Sequence, residues 1–465
     1  MKKRVIAIAL VFMLTFSILT ACGNTGTPDT PQTQDPAQDT PANGQDTSDS
    51  SSDTSAPQDD DLAPTDKLIY WIGAGDTDPG KPAAEMAIEL YKEHYPNVDV
   101  QTHYMGGDLI QALQVMLQDT SSPDFPDIIA ASQTHLGRYA MEGIIYFLDD
   151  ALQTPSWDDP NVIWYDTFVK NLIDSMRYDG KHFMIPNCLY SMGFFYDKNM
   201  FNRLGVSVPS TWEDFQEIAE VFKENGIAPT GLEGTEDWLN SWYYIAYCQR
   251  YMDQDQFLKA VAGEISFFDD PGFLTAAKLV EEMWNDNWFQ PGAAGSVYPA
   301  SQIAFVQGNV ATLFCGGWLP SELSLIMEGS DIDLDVFPIP ILPNQKHSAT
   351  ELWGNGEAIF ASAHNKFNAI NLLKVLSSFH MAPYFEEIAL LPSPLKGFDM
   401  LPELAGYMDL VSDAEIIFDN MANLSAYDEY RGLIFFPHST RLIVGDMAAE
   451  PWLEELDKQT SDYWS

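Results

Sequence analysis

The sequence predicts an α/β protein in which strands and helices alternate along the chain. Short apolar runs such as KLIYWI (67–72) precede segments with helical spacing such as AAEMAIELYKEHYP (83–96). Polar or glycine-rich loops separate these runs. Such alternation favours a mostly parallel sheet, in which ligands bind at loops that follow the carboxyl ends of strands.

Residues 1–21 are predicted to be the signal peptide of a lipoprotein. Lys2, Lys3 and Arg4 precede an apolar stretch that is shorter than the roughly 20 residues needed to span a bilayer comfortably. The letters LTAC, which end at Cys22, resemble a bacterial lipobox. This resemblance implies lipidation of Cys22 and cleavage before it, so that acyl chains hold the protein at the membrane. An uncleaved membrane helix is the alternative.

Residues 22–66 are predicted to form a disordered acidic tether. The segment is rich in Pro, Ser and Thr, and it contains one Leu and no aromatic residue. Such a composition cannot bury enough apolar surface to offset the entropy of the chain.

The remaining chain is strongly acidic. The whole sequence has 23 Lys and Arg against 68 Asp and Glu. Three of these bases and ten of the acids precede Lys67, which leaves a net charge of −38 on residues 67–465. This charge repels nucleic acid and disfavours anionic ligands, so we expect a neutral or cationic ligand and no nucleic-acid partner.

Further segments continue the alternation up to the C-terminus. The segment PSTWEDFQEIAEVFKENGIAP (209–229) is predicted to contain a helix that is capped by Ser210 or Thr211 and ended by Gly226. The other predicted elements are strands at 97–105 and 126–132, helices at 107–118 and 137–143, strands around a turn at Asp179-Gly180, a helix from Lys198, a helix at 271–286, a strand after a Gly308-Asn309 turn, strands at 333–343 and 357–362, and helices at 366–380 and 450–464.

Several motifs with known chemistry are excluded. Gly75 to Lys81 reads G-x-x-x-x-G-K, but Pro82 replaces the Ser or Thr that a phosphate-binding loop places next to Mg²⁺. The histidines lack zinc-ligand spacing, and the chain has no G-x-S-x-G elbow. We therefore expect no metal, no cofactor and no catalytic residue. The odd, widely spaced Cys188, Cys248 and Cys315 are interpreted as buried thiols without a disulfide framework.

The order of landmarks resembles that of extracellular solute-binding proteins of bacterial ABC sugar importers, the family 1 group that includes maltose-binding protein. The most specific stretch runs from IPNCLY (185–190) through FFYDKNMFNRLGV (194–206) to PSTWEDF (209–215). FVQGNVATLFCGGWLP (305–320) and FPIPILP (337–343) follow in the order of that family.

This resemblance implies a two-lobed, periplasmic-binding-protein-like fold of type II, with a mixed sheet flanked by helices in each lobe and a ligand cleft between the lobes. The N-terminal lobe would comprise 67–186 and 337–392, and the C-terminal lobe 187–336 and 393–465. The implied protein is a monomeric, lipid-anchored binder on the extracellular side of the cell membrane. It would deliver a carbohydrate to the membrane subunits of an ABC permease.

Candidate ligand contacts follow from this resemblance and from the chemistry of sugars, whose rings pack on aromatic faces while their hydroxyls need polar partners. Trp318 resembles a family tryptophan that stacks on sugar, and Gly316 and Gly317 beside it would allow close approach. Tyr190 follows the first crossing strand. The remaining candidates lie in loops after strands, in the loop GTEDWLNSW, in the returning segment ELWGNGEAIF or in the last segment: Asp76, Gln133, Thr134, His135, Trp238, Trp353, Asn355, Glu357 and Arg431.

Two alternative functions remain open on the sequence. A secreted glycoside hydrolase would also have an aromatic, acidic cleft, and it would need two carboxylates a few ångströms apart. The same fold could also carry a peptide, a polyamine or another small solute.

Overall fold

The structure is a computed structural model that describes residues 67–75, 80–324, 326–327, 329–399, 406–412 and 414–465. The predicted signal peptide (1–21), the tether (22–66) with Cys22, and the candidate Asp76 lie outside these residues. Within the described part of the chain, no helix is long and apolar enough to cross a bilayer.

The strands and helices follow the predicted alternation. The strands are β1 (Lys67–Ile72), β2 (Asp99–Tyr104), β3 (Ile128–Ser132), β4 (Arg177–Tyr178), β5 (Lys181–His182), β6 (Ile185–Pro186), β7 (Met192–Asp197), β8 (Ala228–Thr230), β9 (Val310–Gly316), β10 (Leu334–Phe337), β11 (Ala349–Glu351), β12 (Asn355–Ile359) and β13 (Ile416–Phe418).

The α-helices are α1 (Lys81–His94), α2 (Leu109–Met116), α3 (Gln133–Met141), α4 (Asp149–Leu152), α5 (Lys170–Ser175), α6 (Lys198–Leu204), α7 (Trp212–Glu224), α8 (Asp237–Cys248), α9 (Gln254–Val261), α10 (Pro271–Asn285), α11 (Ala300–Val306), α12 (Leu319–Ser324), α13 (Lys366–Leu376), α14 (Ala382–Ala389), α15 (Gly406–Ser412), α16 (Asp428–Tyr430), α17 (Phe436–Ile443) and α18 (Ala449–Trp464). Short 3-10 helices occupy Gly106–Asp108, Trp164–Thr167, Ala293–Gly295 and Asn420–Tyr427, and a π-helix occupies Arg431–Phe435.

The first sheet has the strand order β2-β1-β3-β12-β6 and is covered by helices on both faces. Along β1, Leu68 and Tyr70 pack into a core that also contains side chains of α1 and α13, whereas Ile69 and Trp71 pack with side chains of α2 and α3. This division reflects the alternation of side chains along a strand. A strand buried on both faces therefore appears as the continuous apolar run KLIYWI.

The second sheet has the order β10-β7-β9-β8 and differs from the prediction of mostly parallel sheets. Strand β7 is antiparallel to both β9 and β10, and only β8 and β9 are parallel. In the first sheet, β12 is antiparallel to its neighbours β3 and β6. Both sheets are therefore mixed, as the family resemblance implied, because β7, β10 and β12 belong to passages that cross between the sheets.

Three passages of the chain are hydrogen-bonded side by side between the two sheets. Tyr190 and Trp353 exchange backbone hydrogen bonds, with N···O distances of 2.7 and 3.1 Å. The Leu189 amide donates to the Pro392 carbonyl at 2.9 Å, and the Asn187 amide donates to the Asn355 carbonyl at 2.9 Å. These bonds connect the path from β6 to β7 with the two later passages.

The lobe limits remain a proposal, and the packing near two of them favours later positions. Ile339 and Leu342 belong to the core of the second sheet, although they follow the predicted limit at 337. Leu395 belongs to the core of the first sheet, although it follows the predicted limit at 392.

Local signals in the sequence match the structure at several places. Asp179 and Gly180 have φ angles of 49° and 75° and join β4 to β5, as a tight hairpin requires. Cys188, Cys248 and Cys315 are buried and free, as predicted. Between α3 and α4, Ile145 forms an isolated β-bridge with Phe360.

Helix α7 begins with a capping box at Thr211, one of the two predicted N-cap residues. The Thr211 hydroxyl accepts a hydrogen bond from the Asp214 amide at 3.1 Å, and the Asp214 carboxylate accepts one from the Thr211 amide at 2.9 Å. These bonds satisfy amides that the first turn of a helix leaves without partners.

We expect Thr211→Ala to lower the free energy of unfolding by about 1 kcal/mol, because the helix loses its cap. Urea denaturation measures this difference. Ser210→Ala is the matched control, since the neighbouring Ser210 hydroxyl lies outside the capping box and its loss should cost less than about 0.5 kcal/mol. Equal losses in the two variants would contradict the assignment of Thr211 as the cap.

Candidate ligand-binding site

A cavity of about 580 Å³ lies between the first sheet and helix α12. It opens at the carboxyl ends of β1 and β3, where open α/β sheets place their ligands. Its volume falls within the range of about 300–1,000 Å³ that is typical of small-molecule sites. The polar residues that line it are Tyr70, Lys81, Tyr104, Ser132, His135, Asn187, Tyr190, Ser321, Glu322, Asn355 and Glu357.

One side of the cavity is built on an aromatic cluster, which we define as Tyr190, Trp238, Trp242, Trp318 and Trp353. Trp318 contacts the other four rings, with centroid separations between 5.7 and 6.2 Å. Of the cluster, Trp318 and Tyr190 line the cavity. The other three rings therefore support the two that a ligand can reach.

Gly316, at the end of β9, makes room for Trp318. A Cβ atom added at Gly316 would collide with the six-membered ring of Trp318. The sequence predicts that Gly316 and Gly317 allow close approach of the ligand. At Gly316 the structure gives a different reason, since the tryptophan itself covers the glycine.

Helix α8 presents two tryptophans one turn apart. Trp238 and Trp242 are separated by four positions, so they lie on the same face, and their rings are 5.4 Å apart. The prediction of a loop around Trp238 was wrong, because α8 begins at Asp237. Trp238 is 39% exposed, whereas Trp242 is 4% exposed and stacks on Trp353 at 5.7 Å.

The opposite side of the cavity carries a buried carboxylate on β12. Oε1 of Glu357 accepts hydrogen bonds from the Tyr70 hydroxyl at 3.1 Å and from the Asn187 side-chain amide at 2.9 Å. Burial raises the pKa of Glu357 to about 7, although these two donors act to lower it. The neighbouring Asn355 also lines the cavity.

A second carboxylate faces the cavity from α12. Glu322 accepts a hydrogen bond from the Gln302 amide at 2.7 Å, and partial burial raises its pKa above the ordinary value. Lys81 lines the cavity at the start of α1, with its ammonium group 4.3 Å from the centre of the Tyr104 ring. The site therefore combines apolar rings with carboxylates, amides, hydroxyls and one lysine.

The chain matches the family described as bacterial extracellular solute-binding proteins over residues 74–378, which is more than half of its length. The chain belongs to this family.

Relatives with similar sequences or structures agree with this assignment. A binding protein of Brucella abortus is 24% identical over 258 residues, covering 54% of this chain and 60% of that protein. A maltooligosaccharide ABC transporter solute-binding lipoprotein of Streptococcus pneumoniae is 23% identical over 286 residues, covering 58% and 59%. The chain thus spans about 60% of the length of the curated relatives that it matches.

A solved chitin oligosaccharide binding protein has a similar fold. Its TM-score is 0.69 at 18% identity, and the match covers 86% of this chain and 99% of that protein. The predicted two-lobed, type II solute-binding fold is confirmed.

Five of the residues predicted from the sequence line this cavity together. They are Tyr190, His135, Trp318, Asn355 and Glu357. Trp238 and Trp353 lie behind them in the aromatic cluster. Contact of any of them with a ligand remains a prediction.

Residues 133–135 were predicted to lie in a loop, but they form the first turn of α3. Ser132 caps this helix, and its hydroxyl is 2.9 Å from Nδ1 of His135. The Gln133 amide donates to the Ser175 carbonyl at 2.9 Å. Neither Gln133 nor Thr134 lines the cavity.

Arg431 does not line the cavity either. Its guanidinium pairs with Asp428, and it lies 5.3 Å from the ring centre of Phe436. Asp76 lies outside the described residues.

Several residues of the site are not predicted by the sequence. The spacing of Trp242 from Trp238 could have identified it, had the segment been assigned to a helix. Gly80 and Lys81, which end the excluded phosphate-loop motif, line the cavity without that function. Tyr70, Asn187 and Glu322 gave no signal in the sequence, since nothing in the local pattern separates them from ordinary core or surface residues.

The raised pKa of Glu357 has a consequence for stability. The folded state retains the proton up to about pH 7, whereas the unfolded chain releases it near 4.5. The contribution of the protonated Glu357 to the free energy of unfolding is therefore fully present below about pH 4.5. It is lost as the pH rises through 7, and its upper limit is about 3 kcal/mol.

We expect Glu357→Gln to reduce the fall in unfolding free energy between pH 5 and pH 8, because the amide keeps the acceptor oxygen but does not titrate. Urea denaturation at four pH values measures this. General repulsion among the acidic residues affects both proteins alike, so the difference between the two curves reports Glu357. Parallel curves would show that Glu357 does not titrate in this range.

Proposed function

We propose that this chain is the substrate-binding lipoprotein of an ABC importer, which captures a carbohydrate outside the cell and delivers it to a membrane permease. Membership of the solute-binding family and the sugar-related names of similar proteins support this proposal. The observation that carries it is the cavity between Trp318 and Tyr190 on one side and Glu357 and Asn355 on the other.

The two sides of the cavity suit the two kinds of surface on a sugar. The faces of a pyranose ring carry C–H groups, which pack well on the flat rings of Trp318 and Tyr190. Its rim carries hydroxyls, which can donate to carboxylates and accept from amides such as that of Asn187. A ligand bound here exchanges hydrogen bonds with water for hydrogen bonds with the protein while its apolar faces leave water.

The charges around the cavity favour an uncharged sugar. Glu357 and Glu322 face it from opposite lobes, and Lys81 is a lone basic side chain among the lining residues apart from His135. The described chain is also strongly acidic overall. A uronic acid or a sugar phosphate would therefore be repelled, whereas the hydroxyls of a neutral sugar can donate hydrogen bonds to the carboxylates.

The proposed mechanism is closure of the two lobes on the ligand. The three bonded passages between the sheets, at 187–191, 350–355 and 392, form the hinge region. Bending there moves Ser321 and Glu322 of α12 towards residues of the first sheet. The ligand contacts both lobes and so stabilises the closed form, which then docks on the permease.

The proposal includes a lipid anchor on Cys22, a tether at residues 22–66 and a monomeric protein on the extracellular side of the membrane. It rests here on the sequence of residues 19–22 and on the lipoprotein name of one relative. We expect Cys22→Ser to move the protein from the membrane fraction to the medium in a bacterial host that processes lipoproteins, as immunoblots of the fractions would show. Retention of the variant in the membrane would contradict the lipid anchor.

We infer that the ligand is released unchanged, because the family and its solved relatives are binding proteins. A hydrolase remains the second candidate, since the two carboxylates Glu322 and Glu357 line one cavity. Incubation with oligosaccharides followed by chromatography separates the two functions. A binder returns the sugars intact, whereas a glycosidase releases shorter products.

A thermal-shift screen tests the class of ligand. Neutral mono- and oligosaccharides should raise the melting temperature, because a ligand at 100 times its Kd stabilises the folded state by about 2.7 kcal/mol. Amino acids, short peptides and polyamines test the alternative that the same fold carries another solute. Stabilisation by one of these classes, without any response to sugars, would refute the carbohydrate proposal.

We expect Trp318→Ala to weaken binding of the best sugar at least tenfold, or about 1.4 kcal/mol, because the ligand loses its stacking surface. Calorimetric titration measures the affinity. Trp464→Ala is the matched control, since this C-terminal tryptophan is 45% exposed and lies outside the aromatic cluster. Unchanged affinity in a folded Trp318→Ala protein would place the ligand elsewhere.

A further inference from the structure

A buried carboxylate lies behind the aromatic cluster, outside the cavity. Glu351, on β11, is 2% exposed and accepts three hydrogen bonds. Its Oε2 accepts from the Trp242 indole at 2.9 Å and from the Met421 backbone amide at 3.1 Å. Its Oε1 accepts from the Gln249 side-chain amide at 2.6 Å.

These three donors come from two distant parts of the chain. Trp242 and Gln249 belong to α8 and its end, whereas Met421 follows β13, the parallel partner of β11. Glu351 itself lies two residues before Trp353 on the passage that returns to the first sheet. One side chain thus connects α8, the crossing passage and the last segment at the base of the aromatic cluster.

The chemistry of the donors requires an acceptor at this position. An indole N–H and a backbone N–H can only donate, and each would be costly to bury without a partner. Because Trp242 stacks on Trp353 and lies 5.7 Å from Trp318, the orientation of its indole determines where the two neighbouring rings can pack.

We propose that Glu351 is a positioning residue for the ligand site, which fixes the indole of Trp242 and, through it, the rings of Trp318 and Trp353 that form and support the binding surface. This inference rests on the proposed function, since it assigns to Glu351 a role in the affinity of that site. Glu351 acts without touching the ligand.

The surroundings of Glu351 make this role dependent on protonation. Burial raises the pKa of Glu351 to about 7, against the effect of its three donors and of the nearby Arg250. Arg250 is itself buried, which lowers its pKa to about 10, so it stays charged at neutral pH. The next titratable groups on the neighbouring elements are Tyr247 beside Arg250, His347, whose ring is 2.8 Å from the Gln249 carbonyl, and Asp419, which accepts from Gln254.

Gln249 provides a partner for either protonation state of Glu351. Its Oε1 is buried without a hydrogen bond while its Nε2 donates to the carboxylate. Rotation of the amide by 180° would present this oxygen to a protonated Glu351, which then donates. Oε2 of the protonated Glu351 would still accept hydrogen bonds from Trp242 and Met421, but as a neutral oxygen it would be a weaker acceptor. The ionised form therefore holds the indole more firmly.

The test compares wild-type protein with Glu351→Gln in two measurements. First, the tryptophan emission of the ligand-free protein is titrated from pH 5.5 to 8.5. We expect a transition near pH 7 in the wild type and its loss in Glu351→Gln. Second, we expect the sugar affinity of Glu351→Gln at pH 8 to be at least fivefold lower than that of the wild type.

Asp127→Asn is the matched control. Asp127 is also 2% exposed and also accepts from three groups, the amides of Ile69, His364 and Asn365, but it directly precedes the first residue of β3, whereas the cavity lies at the carboxyl end of that strand. We expect this variant to lose stability while it keeps the emission transition and the affinity. Equal losses of affinity in Asp127→Asn and Glu351→Gln would indicate general destabilisation and overturn the proposal.

Trp242→Phe provides a second variant in case Glu351→Gln does not fold. Phenylalanine keeps a ring in the stack but removes the indole N–H, so we expect a lower affinity that no longer depends on Glu351. Wild-type affinity in this variant and an unaltered emission titration in folded Glu351→Gln would each overturn the proposal. Failure of the wild type to bind any sugar would instead refute the proposed function. The emission titration uses the ligand-free protein, so it tests Glu351 even if no sugar binds.

Discussion

The paired backbone of Tyr190 and Trp353 is the contact on which the site depends. It joins the passage that leaves the first sheet to the passage that returns to it, through two N–H···O bonds of 2.7 and 3.1 Å. Because side chains on opposing strands lie close together, the same pairing brings the two rings to 5.9 Å from each other. Trp318 and α8 then pack on this pair. Several segments thereby contribute to a binding surface that rests on the Tyr190–Trp353 backbone pair. This pair also lies in the proposed hinge.

Two buried carboxylates flank this crossing on a single stretch of chain. Glu351 faces the aromatic side, and Glu357 faces the first sheet. Burying a carboxylate is costly unless hydrogen bonds compensate for the lost water, and each of these groups has two or more donors. The donors differ in origin, since Tyr70 belongs to β1 of the first sheet and Asn187 to the passage that leaves this sheet, while Trp242 and Gln249 belong to α8 and its end. Both the side chains and the backbone of the stretch 351–357 therefore form hydrogen bonds with elements on the two sides of the crossing.

The electrostatic character of the protein acts at two scales. At a distance, the large negative charge of the whole chain opposes the approach of polyanions. In the proposed complex, the ionised carboxylates of Glu357 and Glu322 would accept hydroxyl or amine hydrogens of the ligand, and below about pH 7 the protonated Glu357 could also donate. Trp318 and Tyr190 add a preference for flat apolar faces. These requirements together describe a sugar better than they describe a peptide, whose backbone carbonyls would need more donors than the lining residues supply.

The sequence by itself determined those features that depend on neighbours along the chain. The apolar run of β1, the capping box at Thr211 and the hairpin turn at Asp179-Gly180 all follow from local periodicity and backbone preference. The ordered landmarks also placed Trp318, Tyr190 and Glu357 at the cleft. Only the tertiary structure decided that Glu351 supports the site, since its partner Trp242 lies 109 positions away and a buried glutamate has the same letter as a solvated one. Which side chains meet across such distances depends on how the chain crosses between the two sheets. Local sequence patterns do not determine this crossing.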